Sequence, residues 1–153
     1  MISFNAGTAG EEACALCRKL NEAGCKAFCT ALYCEAAGAG KGWDIATANG
    51  IATCKVLVVL MTEGWRLSPP CNHETQMATM RLVKRTNPLH AIVPVVFPDF
   101  DVAKDEDARS GGKQWLPRVG AGIQQIYTQG KSADEWMTAV LLGARSILLC
   151  HAS

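Results

Sequence analysis

Residues 55–62 read KVLVVLMT, six consecutive large apolar side chains between a lysine and a threonine, with no polar residue at alternate places. A half-exposed strand alternates apolar and polar residues, because successive side chains point to opposite faces. An unbroken run rich in valine and leucine predicts a strand covered on both faces, as in the middle of a parallel sheet. A second such run lies at 90–97 (HAIVPVVF), where Pro94 lacks an amide hydrogen and predicts an edge position or a bulge. Shorter apolar runs at 1–4 (MISF), at 25–30 around Phe28 and at 123–127 predict further strands, for a sheet of about five.

Helical patterns separate these runs. Residues 10–23 place Ala13, Leu16, Cys17, Leu20 and Ala23 on one face, and Gly24 supplies the left-handed residue that stops a helix. Residues 43–53 predict a weaker helix whose soft point is Asn49-Gly50, and 71–84 a helix with Met77, Met80 and Val83 on one side. The firmest is 132–149: Ser132 and Glu135 form a capping box ahead of a stripe of Trp136, Val140, Ala144 and Ile147. Residues 31–42, rich in glycine and alanine, predict a loop, and 99–122 a polar connection in which Trp115 stands as a candidate assembly contact. Strand and helix in alternation give an α/β fold, a parallel sheet sandwiched between helices, in one domain spanning 1–153. Met1 stands so close to the first strand that the chain is expected to be a domain excised from a larger protein.

A formal charge of +1 provides no global field toward nucleic acid or an anionic membrane, and Lys84-Arg85 is too short a basic cluster to change that. The longest apolar run, 56–61, cannot span a bilayer, and the first twelve residues lack the pattern of a signal peptide. A cytoplasmic protein is expected. The eight cysteines include a CxxC at Cys14 and Cys17, but that pair lies inside a helical pattern and no second pair has ligand spacing. His73, His90 and His151 are scattered. The reading is reduced thiols acting as small hydrophobes in a reducing compartment, without bound metal.

Three segments, in order and separation, resemble a TIR (Toll/interleukin-1 receptor/resistance) domain. Ile2-Ser3-Phe4 is similar to the family's first-strand "ISY". Gly40-Lys41-Gly42-Trp43 is similar to the "GxxW" that closes the BB loop and starts the next helix. Residues 57–74, LVVLMTEGWRLSPPCNHE, resemble the buried strand, the S/T-x-x-aromatic turn (Thr62, Trp65) and the S-x-x-C-x-x-E helix start (Ser68, Cys71, Glu74). IVPVVF at 92–97 matches "IIPV", and the likeness weakens after Phe100. The resemblance implies a flavodoxin-like three-layer fold.

It also implies one of two functions, NAD+ cleavage or non-enzymatic scaffolding by TIR–TIR association, both in immune or cell-death signalling. The enzymes carry a glutamate where Glu74 stands. Breaking the nicotinamide–ribose bond expels a neutral leaving group and leaves an oxocarbenium-like ribosyl centre, which a carboxylate can stabilise without a metal or a general acid. NAD+ is then substrate, and no cofactor is implied; the products are nicotinamide with ADP-ribose or a cyclic isomer. Phe4, Asn5, Tyr33, Trp43, Trp65, Ser68 and Cys71 are the candidate substrate contacts. A first-turn glutamate that complements a helix dipole is the bland alternative for Glu74. Two positions depart from the enzymes: Pro70 stands where they usually have tryptophan, and Asn5 where they often have arginine. Trp65 is close enough in sequence to supply an aromatic wall instead. Self-association is expected through the BB loop, 31–42. Its GAGKG run, 38–42, lacks Walker spacing and is no phosphate loop. A receiver domain would want paired acids after the first strand, and a flavodoxin a phosphate loop there; the chain offers neither in clear form.

Overall fold

A computed structural model describes residues 1–38, 42–82, 84, 86–106 and 125–152. In chain order the elements are β1 (Ile2–Ser3), α1 (Ala6–Glu22), α2 (Thr30–Ala37), α3 (Trp43–Thr53), β2 (Val56–Met61), α4 (Glu63–Leu67), α5 (Pro69–Leu82), β3 (Ala91–Val96), α6 (Val102–Glu106), β4 (Ile126–Tyr127) and α7 (Ala133–Cys150).

Every residue of β2 is buried, and the strand divides its side chains between two cores. Val56, Val58 and Leu60 pack with Ala13, Leu16 and Leu20 of α1 and with Trp136 and Val140 of α7. Leu57, Val59 and Met61 face the opposite way, against Trp65 of α4 and Cys71 and Ala78 of α5. A sheet covered on both faces by helices has no water-facing side, which is why the run carries no polar alternation. Each fully buried Leu or Val contributes roughly 1.5–3 kcal/mol from apolar transfer.

The sheet is parallel, in the order β1-β2-β3-β4. Among the described residues it has four strands, where about five were expected. The segment expected to form a strand at 25–30 runs beside β1 but makes one ladder-like bond there, Ile2 N to Phe28 O at 2.9 Å, and Thr30 already belongs to α2. With β1 only two residues long, there is no partner edge on which a longer ladder could form. Pro94 is not on an edge strand, since β3 pairs with both β2 and β4. The Val96 carbonyl accepts from Thr128 N and so faces β4; Pro94, two residues earlier, turns its missing N–H to that same side. Among the described residues β4 pairs with Val95 and Val96 and not with Pro94.

Other corrections concern helices. Residues 31–37 of the expected loop form most of α2, because alanine and leucine there favour a helix that packs on α1 and α3. Helix α1 starts at Ala6, four residues before the periodicity, because the Asn5 side chain caps it; Ala9 (φ −150°) breaks the first turn from the rest. Gly24 does adopt the left-handed conformation (φ 83°), and Cys25 N bonds back to Leu20 O at 2.9 Å. In α5 the buried stripe is Cys71, Thr75, Ala78 and Arg81, while Met77 and Met80 are exposed. Small side chains let this helix lie close to the sheet, and the methionines point outward. Arg81 is buried and binds three carbonyls, those of Ile51, Cys54 (2.9 Å) and Asn87 (2.9 Å), tying the end of α3 and the approach to β3 onto α5. The capping box of α7 is present, with Ser132 Oγ accepting from Glu135 N and the Glu135 carboxylate accepting from Ser132 N.

Some sequence expectations fall outside the described residues: 39–41 of the loop, Val83, Arg85, 107–122 with Trp115, and the first two residues of the expected strand 123–127. Among the described residues no helix is long and apolar enough to cross a membrane, and no group of three or more His, Cys, Asp or Glu could hold a metal ion.

Candidate active site

In open α/β sheets the usable crevice lies beyond the carboxyl ends of the strands, where successive connections leave one strand in opposite directions. Here that strand is β1. Its first connection, α1, leads to the 25–29 segment on one side, and the chain later returns to β2 on the other. A cleft of about 360 Å³ opens at this point. Phe4 and Asn5 follow β1 into it, Thr30, Ala31 and Cys34 of α2 close one side, and Trp43 stands at the start of α3. Ser68, Pro70, Cys71 and Glu74 complete it from the start of α5.

Pro69 opens α5, where a residue without an amide hydrogen costs nothing, and Glu74 lies within the second turn. The Ser3 hydroxyl donates to Glu74 Oε2 at 2.6 Å, and the Trp65 indole N–H donates to Ser3 Oγ at 3.3 Å. Ser3 and Trp65 are buried to within 1% of full enclosure. Burial raises the Glu74 carboxyl above the ordinary glutamate range, opposed by the Ser3 hydroxyl and by His73. Cys71 responds to the same enclosure: burial, against the nearby Ser68 hydroxyl, pushes its thiol up to about 11. Cys71 donates to the Phe4 carbonyl at 3.3 Å, and a thiol raised in this way is mostly protonated at neutral pH, the form that is a poor nucleophile.

The structure thus brings together Phe4, Asn5, Trp43, Ser68, Cys71 and Glu74. Trp65 and Tyr33 do not line the cleft. Trp65 is fully enclosed beneath it on α4, where Thr62 Oγ1 caps the backbone at Trp65 N (3.1 Å); its indole N–H reaches the site through Ser3. Tyr33 turns its ring to Phe28, 6.1 Å between centroids, with its hydroxyl close to Gly42. Asn5 uses Oδ1 to cap α1 at Gly7 N, 3.1 Å. The residues that sequence reasoning missed are Ser3, the carboxylate's partner, and Thr30, Ala31 and Cys34 of α2. A serine ending an apolar strand is a recognisable signal for a buried hydroxyl; nothing in the pattern of α2 announces a cleft wall.

A larger cavity of about 500 Å³ lies at the opposite end of the sheet, around Met1, Phe28, Cys54, Lys55 and Leu148. It contains no carboxylate and no helix start of α5, so the chemistry of the carboxylate site has no counterpart there.

Sheet, helical layers and cleft position together define a flavodoxin-like α/β domain. A family model described as "TIR domain" matches residues 1–136, and the chain belongs to that family. Searches of curated proteins and of solved structures found no match.

Proposed function

We propose that this TIR domain cleaves NAD+ at the nicotinamide–ribose bond, with Glu74 as the catalytic residue. The observation that carries the reading is a single carboxylate, enclosed enough for its charge to act strongly, facing a cleft at the switch point of the sheet. In the reaction the C1′–N bond breaks and its electron pair leaves with the pyridinium nitrogen, which becomes neutral nicotinamide. Positive charge develops on C1′ and the ring oxygen. The ionised Glu74 carboxylate stabilises that charge and accepts hydrogen bonds from the ribose hydroxyls. Water then adds to C1′ and releases a proton, giving ADP-ribose; attack by an adenine nitrogen gives a cyclic isomer instead. Phe4 and Trp43 supply apolar surface for the rings, and Ser68 and Asn5 polar contacts.

TIR domains commonly self-associate, and residues 31–42 are the segment we assign to that contact. Thr30, Ala31 and Cys34 of α2 wall the cleft beside that segment, so a neighbouring copy bound there would lie against the site. The test is incubation of concentrated protein with NAD+ over a dilution series, following nicotinamide by chromatography. Release that rises faster than linearly with protein, and disappears in Glu74→Gln, supports the reading. No release at any concentration returns the domain to the scaffold function.

A further inference from the structure

Glu74 is held by an arrangement that the cleavage chemistry does not by itself require. Oε2 is taken by the Ser3 hydroxyl at 2.6 Å, so Oε1 is the oxygen left to meet a ligand in the cleft. A hydroxyl has one proton and rotates freely unless something occupies its lone pairs. Here the enclosed Trp65 indole donates to Ser3 Oγ at 3.3 Å, which leaves the Ser3 proton pointing at the carboxylate. Trp65 is fixed in turn by the Thr62 cap and by the core around Leu57, Val59 and Met61. We propose that Ser3 is a positioning residue for Glu74: the chain Trp65 Nε1–H to Ser3 Oγ–H to Glu74 Oε2 pins the carboxylate in one orientation and keeps it in the charged form that the reaction uses. This rests on the NAD+-cleaving reading of Glu74. The chain of hydrogen bonds acts on the energy of the carboxylate as well as on its orientation. A carboxylate moved out of water is driven to take up a proton, and a hydroxyl donor within a polarised chain opposes that. The Glu74 carboxyl shows both influences, burial the larger and Ser3 opposing it. Among the described residues the other titratable groups at the site are Cys71 and His73 on the same helix and Cys34 on α2; β1, α1 and α3 present uncharged side chains to the cleft.

The test is a carboxyl carbon NMR titration of protein labelled at glutamate, with the Glu74 resonance assigned by its loss in Glu74→Gln. Parent, Ser3→Ala and Trp65→Phe are each compared in a His73→Gln background that removes the imidazole. The Glu74 midpoint is expected to rise by about one pH unit in Ser3→Ala and by less in Trp65→Phe. The acid limb of nicotinamide release should move with it, and kcat at neutral pH should fall roughly ten- to a hundred-fold, with KM changed far less. Trp65→Phe keeps the bulk of the ring and carries the measurement if Ser3→Ala does not fold. A Glu74 midpoint unchanged in the folded variants overturns the proposal. A midpoint that moves in a protein releasing no nicotinamide overturns the NAD+ reading while supporting the hydrogen-bonded chain, so the two failures are distinct.

Discussion

Replacing Glu74 by glutamine should leave the protein folded while abolishing turnover, and the reason lies in how the carboxylate is housed. Glutamine has the same shape, and its Oε1 can accept the Ser3 hydroxyl proton in place of Glu74 Oε2. A hydrogen bond to a charged group contributes about 1.5–3 kcal/mol and one to a neutral amide about 1, so the exchange weakens this contact. Against that stands burial, the larger of the two influences on the Glu74 carboxyl. A carboxyl raised in the folded state binds its proton more tightly there than in the unfolded chain. Its charge therefore costs stability above the folded-state midpoint. That cost disappears as the pH falls from the raised midpoint toward the ordinary glutamate value of about 4.3. At neutral pH the glutamine variant is thus expected to lie within about 1 kcal/mol of the parent, on the more stable side because burial is the larger influence. On acidification the parent should gain relative to the variant. Urea denaturation from pH 4 to 8 reads this directly. Activity should fall by two or more orders of magnitude, the effect of losing a few kcal/mol of charge stabilisation in the transition state. A variant destabilised by much more than 1 kcal/mol at pH 7, by an amount that does not depend on pH, would make Glu74 a structural helix residue and refute the reasoning.

Three further outcomes follow from the packing. Arg81→Ala removes a buried guanidinium from three carbonyls and should cost about 3 kcal/mol, read as a lower urea midpoint. Gly64→Ala would place a methyl 2.5 Å from Thr8 Cγ2 and 3.2 Å from Asn5 Oδ1, so it should cost about 1–3 kcal/mol and weaken substrate binding by displacing Asn5; an unchanged KM and melting temperature would show that α1 yields freely. Thiol titration should find eight reactive groups in denaturant, with Cys150 reacting first in the folded protein and Cys14, Cys17, Cys29 and Cys71 last; metal analysis giving one zinc per chain would contradict the reading of free thiols.

Much of the scaffold was legible in the chain because periodicity reports burial. The unbroken run at 55–62 and the stripe ending in Ile147 state how many faces each element hides, and the tertiary structure agrees. The order of Ser68, Cys71 and Glu74 after a buried strand placed the carboxylate in the first turn of a helix, whereas α5 opens at Pro69 and holds it in the second. Where the reading failed, the deciding contact was distant in sequence. The 25–30 run has strand-like residues, but a two-residue β1 gives it nothing to pair with. Met77 and Met80 looked like core on hydrophobicity alone, whereas the sheet accepts Thr75 and Ala78 because they are small.

The sequence by itself determined the α/β class, the central strands, the family and the residue that bears the negative charge, since each depends on local pattern. Only the tertiary structure decided that Ser3, seventy-one residues away, donates to that charge, that Trp65 stands behind Ser3 instead of walling the cleft, and that α2 closes one side. A hydrogen bond depends on positions to within a few tenths of an ångström, and those positions are set by how the layers pack against one another.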